Sequence, residues 1–223
     1  MQFVYHADAG VKILKIQGDL YTHIYQSRRT KFEKNLYLRN LKDDKIYTYE
    51  HIFISRSKSE LQLCQQSLNP VIPKRHIHLI WAIIDNKNIE KTLPYLNQIG
   101  VEKITFFYAN RSQKNEKISP DRLNKILIHS CEQCGRSTLM ELEILSNTKE
   151  ALRLYPKSCI FDFEGKDIYA SIPCFENGVF IGPEGGFDEV EKKLFKDHIC
   201  YATQQVFTLK SECAALFLAS IAP

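Results

Sequence analysis

The chain has 223 residues, 44% of them hydrophobic and 25% charged, an ordinary balance for a globular protein with material for one large domain or two small ones. No window nears the roughly twenty apolar residues that cross a bilayer, and no basic-then-apolar pattern stands at the N-terminus, so no membrane partner is expected and the expected compartment is the cytoplasm. The net charge of +4 sits in the first third, where residues 1–72 carry 11 Lys and Arg against 7 Asp and Glu and the rest carries 19 against 19. Such a local excess suits a polyanionic partner without requiring one.

Residues 1–66 read as short strands at Gln2–Tyr5, Val11–Ile16, Asn35–Arg39, Ile46–Ser55 and Leu61–Gln65. Their close spacing predicts a small β-barrel or sandwich. Between the second and third, Asp19–Ser27 has helical spacing, with Asp19 as N-cap and Leu20 and Ile24 on one side. Arg28, Arg29 and Lys31 follow directly, with Lys34 and Arg39 nearby. Cations beside Tyr21, Tyr25, Phe32 and Tyr37 can grip phosphates and stack bases, although a solvated loop has the same composition.

Two prolines in Asn69–Lys74 stop any regular element and mark a boundary between expected domains at 1–70 and 71–223. Beyond it the rhythm changes to strands and helices in alternation. His76–Ile84 is an apolar strand and Asn86–Ile99 a helix stopped by Gly100; Lys103–Tyr108 is a strand, and Pro120 opens the next helix. A strand at Met140–Leu145, a helix at Thr148–Tyr155 and a strand at Ser158–Phe163 continue the pattern. Short strands at Val179–Ile181 and Cys200–Gln204 and a last helix from Ser211, its natural N-cap, complete it. This order predicts an α/β domain with a mainly parallel sheet covered on both faces, whose ligands bind where loops leave the carboxyl ends of strands.

Gly182-Pro183-Glu184-Gly185-Gly186 is such a loop. It follows the strand through Ile181 and precedes Asp188 and Glu191, which have the spacing of a capping box. A bare loop at a helix start offers free backbone N–H groups and close access to the main chain. It lacks the Lys-Ser/Thr of a phosphate-binding P-loop and the glycine spacing of a dinucleotide site, which argues against a nucleotide hydrolase. Seven scattered cysteines suggest free thiols in a reducing compartment. The Cys131–Cys134 pair has no companions at zinc spacing and lies at a helix end, so no metal is expected; Glu132 and Arg136 read better as polar groups facing a pocket. Arg111 follows a strand directly, at its carboxyl end.

Four pieces in this order, NRS at Asn110–Ser112, EQCGR at Glu132–Arg136, GPEGGF at Gly182–Phe187 and LKSECA at Leu209–Ala214, resemble the signature set of the RsmE-type methyltransferases. Ser27-Arg28-Arg29, preceded by His23, is similar to that family's N-terminal segment. The resemblance implies a PUA-like barrel that holds RNA, followed by a SPOUT domain, an α/β fold with a trefoil knot, working as a homodimer. It also implies S-adenosylmethionine as cofactor and methylation of uridine N3 in small-subunit (16S) ribosomal RNA, free or in the assembled subunit. The cofactor loops would be Ile181, Gly182, Pro183, Glu184, Gly185 and Gly186 with Thr208, Leu209 and Ser211, and Asp162 and Gln204 would add further walls. Arg111 and Arg136 would stabilise charge on the uracil while Glu132 takes its N3 proton, with Arg28, Arg29, Lys31, Lys34 and Arg39 on the RNA.

The chain departs from the family's pattern at Gln204-Gln205, which stand for Leu-Gly, at Lys210 for arginine and at Cys213 for threonine. These departures keep a second reading open, a non-catalytic or weakly active RNA-binding protein on the same scaffold. A SPOUT methyltransferase acting on another RNA position is a third.

Overall fold

A computed structural model describes residues 2–113 and 115–223. They form two compact units, Met1–Ile72 with Ile128–Leu139, and Pro73–Leu127 with Met140–Pro223.

In the first unit, strands β1 (Val4–Tyr5), β2 (Ile13–Gln17), β3 (Leu36–Arg39), β4 (Lys45–Ile54) and β5 (Lys58–Leu68) form one sheet in the order β1-β3-β4-β5-β2. The β1–β3 pair is parallel and the others antiparallel. Alternation decides the inner face: Leu14 and Ile16 of β2 are buried between exposed neighbours. They join Leu38, Tyr49, Leu61 and Ile24 in one core. Register shifts between Thr48 and Tyr49 and between His51 and Phe53 curl the β4–β5 hairpin around it.

The helical stretch after β2 is α1 (Gly18–Tyr21), continued by a π-helical run over Thr22–Ser27. Ile24 is buried as expected, but Asp19 is not the cap. Gln17 holds that position, leaving Asp19 in the first turn, where a carboxylate suits the positive end of the helix.

The second unit alternates as the sequence predicts. Its elements are β6 (His78–Ala82), α2 (Asn86–Ile99), β7 (Lys103–Phe107), α3 (Pro120–Cys134), β8 (Glu141–Leu145), α4 (Thr148–Leu154), β9 (Cys159–Asp167), β10 (Val179–Ile181), α5 (Glu189–Leu194), β11 (Cys200–Ala202) and α6 (Ser211–Ile221), with the end of α3 counted in the first unit. The sheet order is β11-β9-β10-β6-β7-β8, and every pair is parallel. Every residue of β6 and β10 is buried, as central strands covered on both faces require. Ile80, Phe107, Ile160 and Phe180 from four strands meet in the core.

Local signals set the ends of α2. Asp85 accepts from the Lys87 and Asn88 N–H groups, and Gly100 closes the helix in the left-handed region at φ 101°. Helix α6 differs from expectation: Lys210, whose side chain has no acceptor, occupies the cap position, and the Ser211 hydroxyl lies in the first turn and is used elsewhere. Among the described residues no helix is long and apolar enough to cross a membrane, and no group of three His, Cys, Asp or Glu is placed to hold a metal.

Candidate functional site

Strand β10 leaves the centre of the sheet at Ile181 and runs into the glycine loop. The Gly186 N–H donates to Pro183 O at 2.9 Å, closing a turn. Gly186 sits at φ +67°, where any other side chain strains the backbone, and a Cβ there would lie 2.9 Å from the Phe163 ring, which would have to shift. Beyond it Phe187 is buried edge-on against Phe195, with ring centroids 4.7 Å apart, which anchors the loop's far end.

The capping box at α5 is present. Asp188 Oδ1 accepts from Val190 N at 2.9 Å and Glu191 N at 2.8 Å, and Glu191 Oε2 accepts from Asp188 N at 3.1 Å. Glu191 does more than close the box. Only 1% exposed, it also accepts on Oε1 from the Asn110 N–H at 3.0 Å and the Thr148 hydroxyl at 2.5 Å. The Asn110 side chain donates to Asp188 Oδ2 at 2.8 Å, and Arg111 Nη1 donates to Gly185 O at 2.7 Å. The Asn110–Ser112 turn is thereby fastened to the glycine loop from one side. The Glu191 N–H and the Asn110 amide hold the Asp188 carboxyl below the usual carboxylate range.

Ser211 fastens the loop from the other side. Its hydroxyl accepts from Trp81 Nε1 at 2.8 Å and donates to Gly182 O at 2.6 Å, joining the start of α6 to β6 and the loop. A buried indole N–H needs an acceptor, and this need outcompetes local capping.

A cavity of about 300 Å³ opens between these loops at the carboxyl ends of β10 and β11, beside Phe161–Phe163 of β9. Asp162, Ile181, Gly182, Pro183, Glu184, Gly186, Gln204, Thr208, Leu209 and Ser211 line it, so ten of the eleven residues expected at a cofactor site stand on one wall system. Gly185 does not line it, since it turns outward to Arg111. The neighbours of Asp162, Phe161 and Phe163, line it too, as does Gln205 at the position of a departure from the family's pattern, whereas Ala202, Thr203, Phe207 and Ala214 carried no signal in the sequence. The sequence reading ended this strand at Phe163, but β9 continues to Asp167 and Asp162 lies within it.

Burial pushes the Asp162 carboxyl up, against the opposing hydrogen bond from the Phe163 N–H. The two glutamines at 204 and 205 stand at the edge of the cavity, each amide bound elsewhere. Gln204 adopts φ 55° and donates from Nε2 to Gly165 O at 2.8 Å, while Gln205 Nε2 donates to the Tyr169 hydroxyl at 3.4 Å.

The other expected residues separate. Arg111 is exposed on the glycine loop, whereas Glu132 and Arg136 are buried residues counted with the first unit. Glu132 is 4% exposed; its Oε1 accepts from Tyr5 N at 2.7 Å and its Oε2 lies 3.2 Å from His129 Nδ1.

Arg28, Arg29, Lys31 and Lys34 are exposed in the first unit. Arg39 must be withdrawn from that set. It is 1% exposed, with the Phe3 ring 5.4 Å from its guanidinium, and donates to Asn69 Oδ1 at 2.5 Å and to the Asp44 and Lys45 carbonyls. Tyr21 is buried with its hydroxyl donating to Ser55 O, and Tyr25 is partly buried, leaving Phe32 and Tyr37 as the exposed rings of that segment.

A family model for an RNA methyltransferase domain matches residues 71–222. A ribosomal RNA small subunit methyltransferase E of Helicobacter pylori is 54% identical over 225 residues, spanning 100% of this chain and 99% of that protein. The protein of the same name from a second H. pylori strain is 52% identical over the same span. The solved structure of a ribosomal RNA small subunit methyltransferase E from Neisseria gonorrhoeae, bound to S-adenosyl methionine, matches with a TM-score of 0.81 at 21% identity, covering 99% of this chain and 95% of that one. The architecture is accordingly the SPOUT fold with a PUA-like N-terminal domain, as the motifs implied.

Proposed function

Because the chain belongs to the ribosomal RNA small subunit methyltransferase E family of RNA methyltransferases, we propose that it moves a methyl group from S-adenosylmethionine to N3 of a uridine in small-subunit ribosomal RNA. The observation that carries this reading is the cavity at the carboxyl ends of β10 and β11, lined by the glycine loop, by the Thr208–Leu209 loop and by Asp162 and Glu184. The donor, when bound, supplies an electrophilic methyl on a sulfonium.

The residues present suit that donor. Gly182 and Gly186 leave the loop bare, the loop at Thr208 and Leu209 presents peptide groups for an adenine edge, and the carboxylates favour a cationic ligand. Ser211 holds the two loops in register through Gly182 O. Part of the rate then comes from fixing base and methyl in line.

Uracil N3 carries a proton, which has to leave as the new N–C bond forms. In this reading Glu132 takes it, and Arg111 and Arg136 stabilise charge on the uracil carbonyl oxygens. Arg111 spends one of five donors on Gly185 O, which leaves others for a substrate oxygen. Normal turnover in both Glu132→Gln and Arg136→Ala would remove these roles. The target base must be unstacked to expose N3, so the RNA is held by a separate surface, the exposed cations of residues 28–34, in a cytoplasmic homodimer that places this surface across from the partner's cavity.

The test is primer extension on ribosomal RNA from cells with and without the gene. Methylation at N3 blocks the pairing edge and halts reverse transcriptase. The reading expects a stop that vanishes on deletion and returns with the unaltered gene but not with Gly186→Val. An unchanged pattern of stops would contradict it.

A further inference from the structure

Phe32 ends a column of rings in the first unit. Ring centroids lie 4.7 Å apart for Tyr21 and Tyr25, 5.6 Å for Tyr25 and His51, and 5.5 Å for His51 and Phe32. The inner members are fixed by hydrogen bonds. The Tyr21 hydroxyl donates to Ser55 O at 2.5 Å, and the Tyr25 hydroxyl lies 2.8 Å from both Ser59 Oγ and His51 Nε2. His51 is 8% exposed, whereas Phe32 is 45% exposed. Column and loop belong to one compact unit.

A single exposed phenylalanine is ordinary, so exposure alone says little. This ring differs in two respects. It packs on a largely buried, hydrogen-bonded column, so ordering it on binding costs little side-chain entropy. It also lies in a loop with four exposed cations, Arg28, Arg29, Lys31 and Lys34. A supported π-face among separate positive charges complements a strand whose bases are unpaired and whose phosphates repeat beside them, and it fits an acidic protein surface less well, since carboxylates do not stack.

We propose that Phe32 is a stacking platform for an unpaired base of the RNA, with Arg28, Arg29, Lys31 and Lys34 on the neighbouring phosphates. The inference rests on the methyltransferase reading above and deepens it by naming how the first unit grips its substrate. Stacking of this kind accepts any base, so Phe32 supplies grip and orientation, and the choice of nucleotide is made elsewhere. The competing role for Phe32 is to cover His51.

Substitutions separate the two roles. Fluorescence anisotropy would follow binding of a labelled single-stranded oligouridylate to the full-length protein and to Phe32→Ala, Phe32→Leu, Phe32→Trp and Lys31→Ala, with S-adenosylmethionine affinity read by calorimetry on the same samples. Stacking predicts about a tenfold weaker Kd for both Ala and Leu, recovery in Trp, and unchanged cofactor affinity. It also predicts that the salt dependence of binding is kept in the Phe32 variants and made shallower by about 0.7 in Lys31→Ala. Leucine binding as tightly as phenylalanine would overturn the proposal and leave Phe32 as a cover for His51. Failure of the unaltered protein to bind the RNA while it still binds S-adenosylmethionine would overturn the platform alone, and failure to bind either would overturn the functional reading as well.

Discussion

The two ends of the parallel sheet in the second unit share strands and treat polar groups in opposite ways. Where β6, β7 and β8 begin, the polar groups satisfy one another. Thr105 Oγ1 donates to Glu143 Oε2 at 2.8 Å and therefore accepts from His78 Nε2 at 2.9 Å, and Tyr155 donates to the same Glu143 oxygen. Lys103 closes the group, 2.8 Å from Glu141 and 3.4 Å from Glu143, and lies over the Tyr155 ring. At the opposite end the network stops at the rim of a cavity, and Asp162 and Glu184 line it. A closed polar network holds one conformation, whereas an open one keeps its capacity for a ligand.

The largest expected effect sharpens the closed end. Burial lowers His78 from 6.5 to about 4, so the ring is neutral in the fold and the unfolded chain binds the extra proton. The His78 contribution to stability is therefore present above pH 6.5 and is lost as pH falls through about 4. That amounts to about 3 kcal/mol. Urea titrations across this window should show the loss, and His78→Gln should flatten it; an unaltered pH slope in the variant would remove the closed network from the comparison.

The open end is tested next by Gly186→Val, which forces a β-branched residue into φ +67° against the Phe163 ring. The S-adenosylmethionine Kd should rise about thirtyfold, equivalent to about 2 kcal/mol, in calorimetry. Unchanged affinity would mean that the loop's shape does not matter to binding. Ser211→Ala leaves the buried Trp81 N–H without its acceptor and frees the Gly182 carbonyl. It should lower unfolding stability by about 1.5 kcal/mol, and Ser211→Thr should restore most of that. The smallest effect is expected from Gln205→Gly, because that amide is bound to Tyr169 rather than extended across the cavity. A change in Kd beyond about threefold, or 0.6 kcal/mol, would show that Gln205 contacts the ligand.

Local patterns were legible in the sequence and their tertiary competitors were not. Asp188 and Glu191 at capping-box spacing, Gly100 as a helix stop and the bare glycine loop were all read correctly from neighbours within a few residues. The further partners of Glu191 lie 81 and 43 residues away in the chain, beyond any local pattern. Ser211 looked like a cap because its neighbours suit one, but Trp81, 130 residues distant, takes the hydroxyl. Arg39 misled for a similar reason: it was grouped with the cations near it in the chain, yet Phe3, Asn69 and two carbonyls bury it.

The central claim is that the cavity beside Gly186 and Leu209 holds the methyl donor. A crystal structure of the protein grown with S-adenosylmethionine tests it most directly. The account predicts ligand density enclosed by the glycine loop and the Thr208–Leu209 loop, with the Gln205 amide still on Tyr169. Density at another place, or a Gln205 side chain filling the space, would contradict it.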